Sequence, residues 1–307
     1  MNRAEKRRQQ KEAAKAAKAA GKGVGVSPSV SQDVQATFQT AVQAHQAGNL
    51  ADAETLYRQV LDHAPEHADA WHLLGVIRHQ SGRSGEAVDA ITRATAARPD
   101  FAEAHCNLGV ALHAVGRLED AAESYDRALA AKPDYPEALS NRGNVLTDLG
   151  RLDDAVASLE KALAIEPSYV KALNNLGNAL RAQGKTAAAA ETLEKALALE
   201  PGFAEAHCNL GAALHQLGRA EDAAESYRKA LAFNPGFAEA MSNLGNVLND
   251  LGRRDEAADY CRKAIALDPG FAKAHDILGT IERAGGRLDD AVDSHKKALA
   301  LDPNDPE

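Results

Sequence analysis

Proline returns every 34 residues along most of this chain: Pro65, Pro99, Pro133, Pro167, Pro201, Pro235, Pro269 and Pro303. Glycine keeps the same step from Gly48 to Gly286, and alanine keeps it from Ala53 to Ala291. A fixed period of this size means one supersecondary unit that cannot bury its apolar face alone and must stack on copies of itself. Setting the first position at Val34 gives eight units without insertions: 34–67, 68–101, 102–135, 136–169, 170–203, 204–237, 238–271 and 272–305. The last two residues, Pro306-Glu307, repeat the Pro136-Glu137 that opens the fourth unit and read as the start of a ninth.

Within a unit the residues dictate two helices. Helix A is expected over about positions 1–14, stopped by the glycine of position 15. Helix B is expected over about positions 18–31, stopped by the proline of position 32, which lacks an N–H and clashes with the preceding turn. Small residues stand where the two must touch, as Gly109, Ala121 and Ala128 do in the third unit, with Leu108, Leu112, Tyr125 and Leu129 between them. Aromatic residues are only 4% of the chain against 45% hydrophobic, so Ala and Leu fill the interior, as in closely apposed helices. The expected class is therefore all-α. No apolar run is long enough for a membrane span, and no secretory signal is recognisable. Cys106, Cys208 and Cys261 are too far apart for a disulfide framework or a zinc site. They read as reduced thiols of a cytoplasmic protein.

Charge divides the chain. Residues 1–23 hold eight Lys and Arg against Glu5 and Glu12, a surplus of six, so the remainder carries −15 within a total of −9. An acidic body repels nucleic acid, whose affinity comes largely from phosphate neutralisation. Only the tail has the charge to touch it. Residues 1–33 are expected to be a basic, flexible tail and linker, serving either as a solvated segment or as a binding arm.

The second unit holds Trp71, Leu74, Gly75, Ala87, Ile91, Ala94 and Pro99 at positions 4, 7, 8, 20, 24, 27 and 32. This pattern resembles the tetratricopeptide repeat (TPR) family, and the resemblance extends over all eight units, 272 of 307 residues. It implies a right-handed superhelical α-solenoid with the A helices lining a concave groove. Departures are small. Ala41 replaces the position-8 glycine of the first unit, and His105, His207 and His275 stand at position 4 as weaker wedges than Trp71. A longer period is also present: His105-Cys106-Asn107-Leu108-Gly109 recurs as His207-Cys208-Asn209-Leu210-Gly211, three units later. A block of three units has been duplicated.

At about 100° per residue, positions 4, 7, 8, 11 and 14 of helix A share one sector and pack inward, while positions 2, 5, 6, 9, 12 and 13 share the other. By the family's architecture this second sector looks into the groove. Position 6 is asparagine in five consecutive units, Asn107, Asn141, Asn175, Asn209 and Asn243, and position 9 adds Asn144, Asn178 and Asn246. Asparagine is a poor helix-interior residue, so a column of it needs a reason. Each carboxamide both donates and accepts, which suits the backbone of an extended peptide whatever its side chains. The competing explanation is family consensus multiplied by duplication. The column resembles the one in the repeat arm of O-GlcNAc transferases. Position 12 supplies His79, His113, Arg181 and His215, expected to meet acidic side chains or a chain-terminal carboxylate. The carboxylate clamp known in the family requires lysine at groove positions where this chain has none.

Histidines at position 12 lie on adjacent helices, too far apart to share one metal ion, and no nucleotide-binding or nucleophile motif occurs. The chain is accordingly expected to be no enzyme and to need no cofactor or metal. The expected function is a protein–protein interaction scaffold taking an extended peptide or a partner protein in the groove, with self-association through an uncapped C-terminal end. The alternative is the substrate-recognition arm of a longer, O-GlcNAc-transferase-like enzyme.

Overall fold

A computed structural model describes residues 28–303 and contains helices and short turns: sixteen helices among the described residues, two per unit. The first four units are α1 (Pro28–Gln46) and α2 (Leu50–His63), α3 (Ala68–Gln80) and α4 (Ser84–Ala97), α5 (Ala102–Ala114) and α6 (Leu118–Ala131), then α7 (Pro136–Asp148) and α8 (Leu152–Ile165). The last four are α9 (Val170–Ala182) and α10 (Thr186–Leu199), α11 (Ala204–Gln216) and α12 (Ala220–Phe233), α13 (Ala238–Asp250) and α14 (Arg254–Leu267), then α15 (Ala272–Ala284) and α16 (Leu288–Leu301). Two compact bodies make up this all-α repeat solenoid, one up to Asn107 and one from Leu108.

Helix A stops where the glycine column predicts. All eight position-15 glycines have φ between 71° and 79°, a left-handed turn that a side chain would strain. Around Gly150, for example, the Gly150 N–H bonds Thr147 O and the Arg151 N–H bonds Leu146 O, closing the end of α7. Helix B runs over positions 17–30, one residue earlier than expected, and its last N–H bonds are complete before the proline, as at Lys132 N to Ala128 O.

The hairpin closes at position 8. A Cβ on Gly109 would lie 2.6 Å from Tyr125 Cζ, and one on Gly177 would lie 2.5 Å from Leu193 Cγ. Position 24 of helix B thus occupies the space that any side chain at position 8 would need. Successive units then meet through the alanine of position 3. Ala70, Ala104, Ala138, Ala172, Ala206, Ala240 and Ala274 are all fully buried, whereas Ala36, in the first unit, is exposed. Position 21 shows the converse at the other end, since Val292 is 50% exposed while its counterparts from Val88 to Ala258 are buried.

Two expectations change. Helix α1 begins at Pro28, inside the stretch read as linker; proline suits the first turn of a helix, where its missing N–H has no partner to lose. The rest of the expected tail, and Pro306-Glu307, lie outside the described residues. The position-4 histidines are also more than weak wedges. Trp71 donates its ring N–H to Pro65 O at 2.7 Å, and His105 and His207 do the same through Nε2 to Pro99 O and Pro201 O, each at 2.9 Å. His275 repeats the bond to Pro269 O at 3.3 Å. Because the acceptor is a carbonyl, these histidines carry their proton on Nε2.

Candidate functional site

In the second body each B helix from α8 to α14 packs against its own A helix and the next one, and successive A helices also touch: α7 with α9, α9 with α11, α11 with α13 and α13 with α15. No two B helices of this body approach comparably among the described residues. The A helices therefore form its shorter, inner side, and ten of the twelve candidate residues stand on it, while His79 and Asn107 belong to the first body.

All twelve are half-buried: Asn107, Asn141, Asn144, Asn175, Asn178, Asn209, Asn243, Asn246, His79, His113, Arg181 and His215. They are neither sealed between helices nor free in solvent. The reason lies one position earlier. Position 5, assigned to the groove sector by helix geometry alone, is buried from the second unit to the seventh, at His72, Cys106, Ser140, Asn174, Cys208 and Ser242. Within the second body, contact between neighbouring A helices covers it at Ser140, Asn174, Cys208 and Ser242. The asparagine of position 6 in the following unit then reaches back to it. Asn107 Nδ2 donates to His72 Nε2 at 2.7 Å, Asn175 Nδ2 to Ser140 Oγ at 3.2 Å and Asn209 Nδ2 to Asn174 Oδ1 at 2.9 Å. Asn243 makes the same kind of bond to Cys208.

These rungs explain much of the asparagine column without any ligand. A buried polar group left unpaired is costly, so each position-5 side chain requires a donor from the next unit. The seventh unit shows the failure: the eighth has Ile277 at position 6, and the fully buried Ser242 Oγ has no partner. Sequence reasoning missed this link, although the steady polarity of position 5 beside the asparagine column was a signal for it.

Burial governs the titrating groups nearby. It lowers His72 to about 4, overriding Asp69 and Glu103, which favour the cation. As acceptor from Asn107, His72 Nε2 must stay unprotonated, in agreement with that direction. Burial likewise raises the thiols of Cys208 and Cys261 to about 12, so neither is a reactive nucleophile.

Position 12 divides into paired and unpaired cases. His113 Nε2 meets Asp148 Oδ2 at 2.8 Å, and His215 Nε2 meets Asp250 Oδ2 at 2.7 Å, each acid standing at position 13 of the next unit. The chain itself thus supplies the carboxylates these histidines were expected to seek. His79 Nδ1 lies 3.0 Å from Ser84 Oγ. Arg181 Nη2 donates to Asn178 Oδ1 at 3.0 Å. Asn144 and Asn246 make no side-chain hydrogen bond among the described residues.

No helix among the described residues is long and apolar enough to cross a membrane. No curated protein matches the chain. Three family models match it: TPR repeat over 143–180 and 177–218, and tetratricopeptide repeat over 40–99 and 80–136 and again over 204–237 and 238–271. Among solved structures it is similar to TTC0263, a thermophilic TPR protein of Thermus thermophilus, at 27% identity and a TM-score of 0.54, covering 59% of this chain and 98% of that one. A tetratricopeptide repeat protein from Parabacteroides merdae shares the fold with a TM-score of 0.70 at 17% identity, covering 81% of this chain and 99% of that one. The APC/C hetero-tetramer Cut9–Hcn1 does so with a TM-score of 0.69 at 18% identity, covering 94% and 56%. Stacked helical hairpins of this kind are protein-interaction scaffolds, generally without catalysis of their own. With its 34-residue period, its glycine-closed hairpins and these matches, the chain belongs to the tetratricopeptide repeat family.

Proposed function

We propose that the inner side of the second body grips an extended segment of a partner protein by its main chain. The observation that carries the reading is the half-burial of the asparagines at positions 6 and 9. A carboxamide has two donor hydrogens and an oxygen with two lone pairs. The rungs at Asn175 and Asn209 use one donor each, which holds the group in a fixed orientation with its oxygen still available. Orientation fixed before binding lowers the entropic cost of association. The exposed acids of position 2, Glu137, Glu205 and Glu239, give the rim a negative cast that favours neutral or basic segments. The same grip would serve a recognition arm of a longer O-GlcNAc-transferase-like enzyme, for which a linked catalytic domain is the discriminating observation.

The rungs decide how to test this. Replacing Asn175 or Asn209 damages the stack as well as any grip. Asn144 and Asn246 have no role in the internal hydrogen bonds and are the clean probes. Linear peptides selected by display against the full chain should bind the N144A/N246A variant at least tenfold more weakly, with its thermal midpoint unchanged. Undiminished binding by that variant, or selected peptides that cross-link to the B helices, overturns the reading.

A further inference from the structure

Arg181 is the one candidate at position 12 that combines a permanent charge, half-burial and no carboxylate partner among the described residues. The equivalent histidines of the third and sixth units each receive an aspartate from the following unit, Asp148 and Asp250. After the fifth unit that position is Gln216. The guanidinium is held by Asn178 through Nη2, its buried Nε bonds nothing, and its field reaches the buried Cys208 and Tyr227 of the next unit. Its copy three units later, Arg283, is exposed to water. A cation withdrawn from water without a counter-charge is unfavourable, and this one sits in an array with a large surplus of acids.

We propose that Arg181, oriented by Asn178, is an anion subsite of the inner side that takes a carboxylate of the bound segment. The chemistry is a carboxylate accepting from the Nη hydrogens that Asn178 leaves unused, the buried Nε being out of a ligand's reach. An Asp or Glu side chain supplies it, or a chain end does. The site adds one acidic residue, in fixed register, to a groove whose rim otherwise repels acids. It deepens the reading above and rests on it, but its first test needs no partner.

Arginine Nε–Hε signals of the full chain are followed by proton–nitrogen correlation while sodium acetate replaces sodium chloride at constant ionic strength. The signal absent from R181M identifies Arg181. We expect that signal to move saturably with acetate, while those of Arg117 and Arg219, already paired with Asp120 and Asp222, stay in place. An Arg181 signal that moves only as much as theirs overturns the proposal. R181M should keep or raise the thermal midpoint; a midpoint lowered by several degrees would make Arg181 a structural residue and overturn it as well. Two peptide pairs then separate the sources: an internal Glu against Gln with an amidated end, and a free against an amidated C-terminus. Preference for the charged member in either pair supports the subsite, and preference in neither overturns it. Because acetate is the probe, this test can fail while the N144A/N246A experiment succeeds, and the reverse.

Discussion

The seam between the fifth and sixth units and the seam between the seventh and eighth are built from the same repeat yet finished differently. In the first, Asn174 is 5% exposed and Asn209 bonds it across the seam. In the second, Ser242 is completely buried and faces a unit with Ile277 where the asparagine would stand, so its hydroxyl is bare. Position 6 is therefore first a tie between units. Its use by a ligand is built on that tie, and a column of asparagine is by itself weak evidence of recognition. The fold tolerates a missing rung, so apolar packing such as that of the buried position-3 alanines carries the stack and the rungs add specificity of register.

The largest effect expected is at the rung with a titrating member. His72 is depressed to about 4 by burial, so below its ordinary value the unfolded chain binds a proton that the folded chain refuses. Stability is full at neutral pH and falls as pH drops from about 6.5 towards 4, by about 3 kcal/mol in all. H72N should recreate the Asn174–Asn209 arrangement and flatten that slope, as read by thermal midpoints across the range; an unchanged slope would place the acid sensitivity elsewhere. Next comes N209A, which strands a buried carboxamide and should cost about 1–3 kcal/mol. Amide exchange in α9 and α11 is the suitable measure, because long repeat arrays depart from two-state unfolding. A double change of Asn174 and Asn209 to leucine should cost less than N209A alone. At the unfinished seam, S242A removes an unpaired hydroxyl and should stabilise by about 1 kcal/mol, while I277N should supply the missing donor. If S242A destabilises instead, the two seams do not differ as described. Smallest is D148N at the exposed His113 pair, expected to change stability by less than about 1 kcal/mol and to lose that effect in high salt.

The period, the hairpin and the glycine corners were legible because each depends on residues within one unit. Gly109, Ala121 and Ala128 mark by spacing alone where the two helices of a unit touch. The partner of position 5 was not legible, since a helical wheel treats helix A as isolated and the rung joins residues 35 apart on different helices. Only the touching of successive A helices turns Asn174 inward and leaves Asn175 half-covered. Proximity to a glycine-rich stretch likewise disguised Pro28 as linker, although proline at that place is compatible with a first helical turn.

The corners at the ends of the A helices have a practical consequence. A Cβ built on any of the eight position-15 glycines, from Gly48 to Gly286, finds no atom within 4 Å. The chain reverses there in open space, held by its own backbone bonds. A cysteine at Gly116 or Gly218 would meet no packed atom and would incur only the strain of its positive φ, so a fluorophore can be attached at a chosen corner while the rungs beside it remain in register.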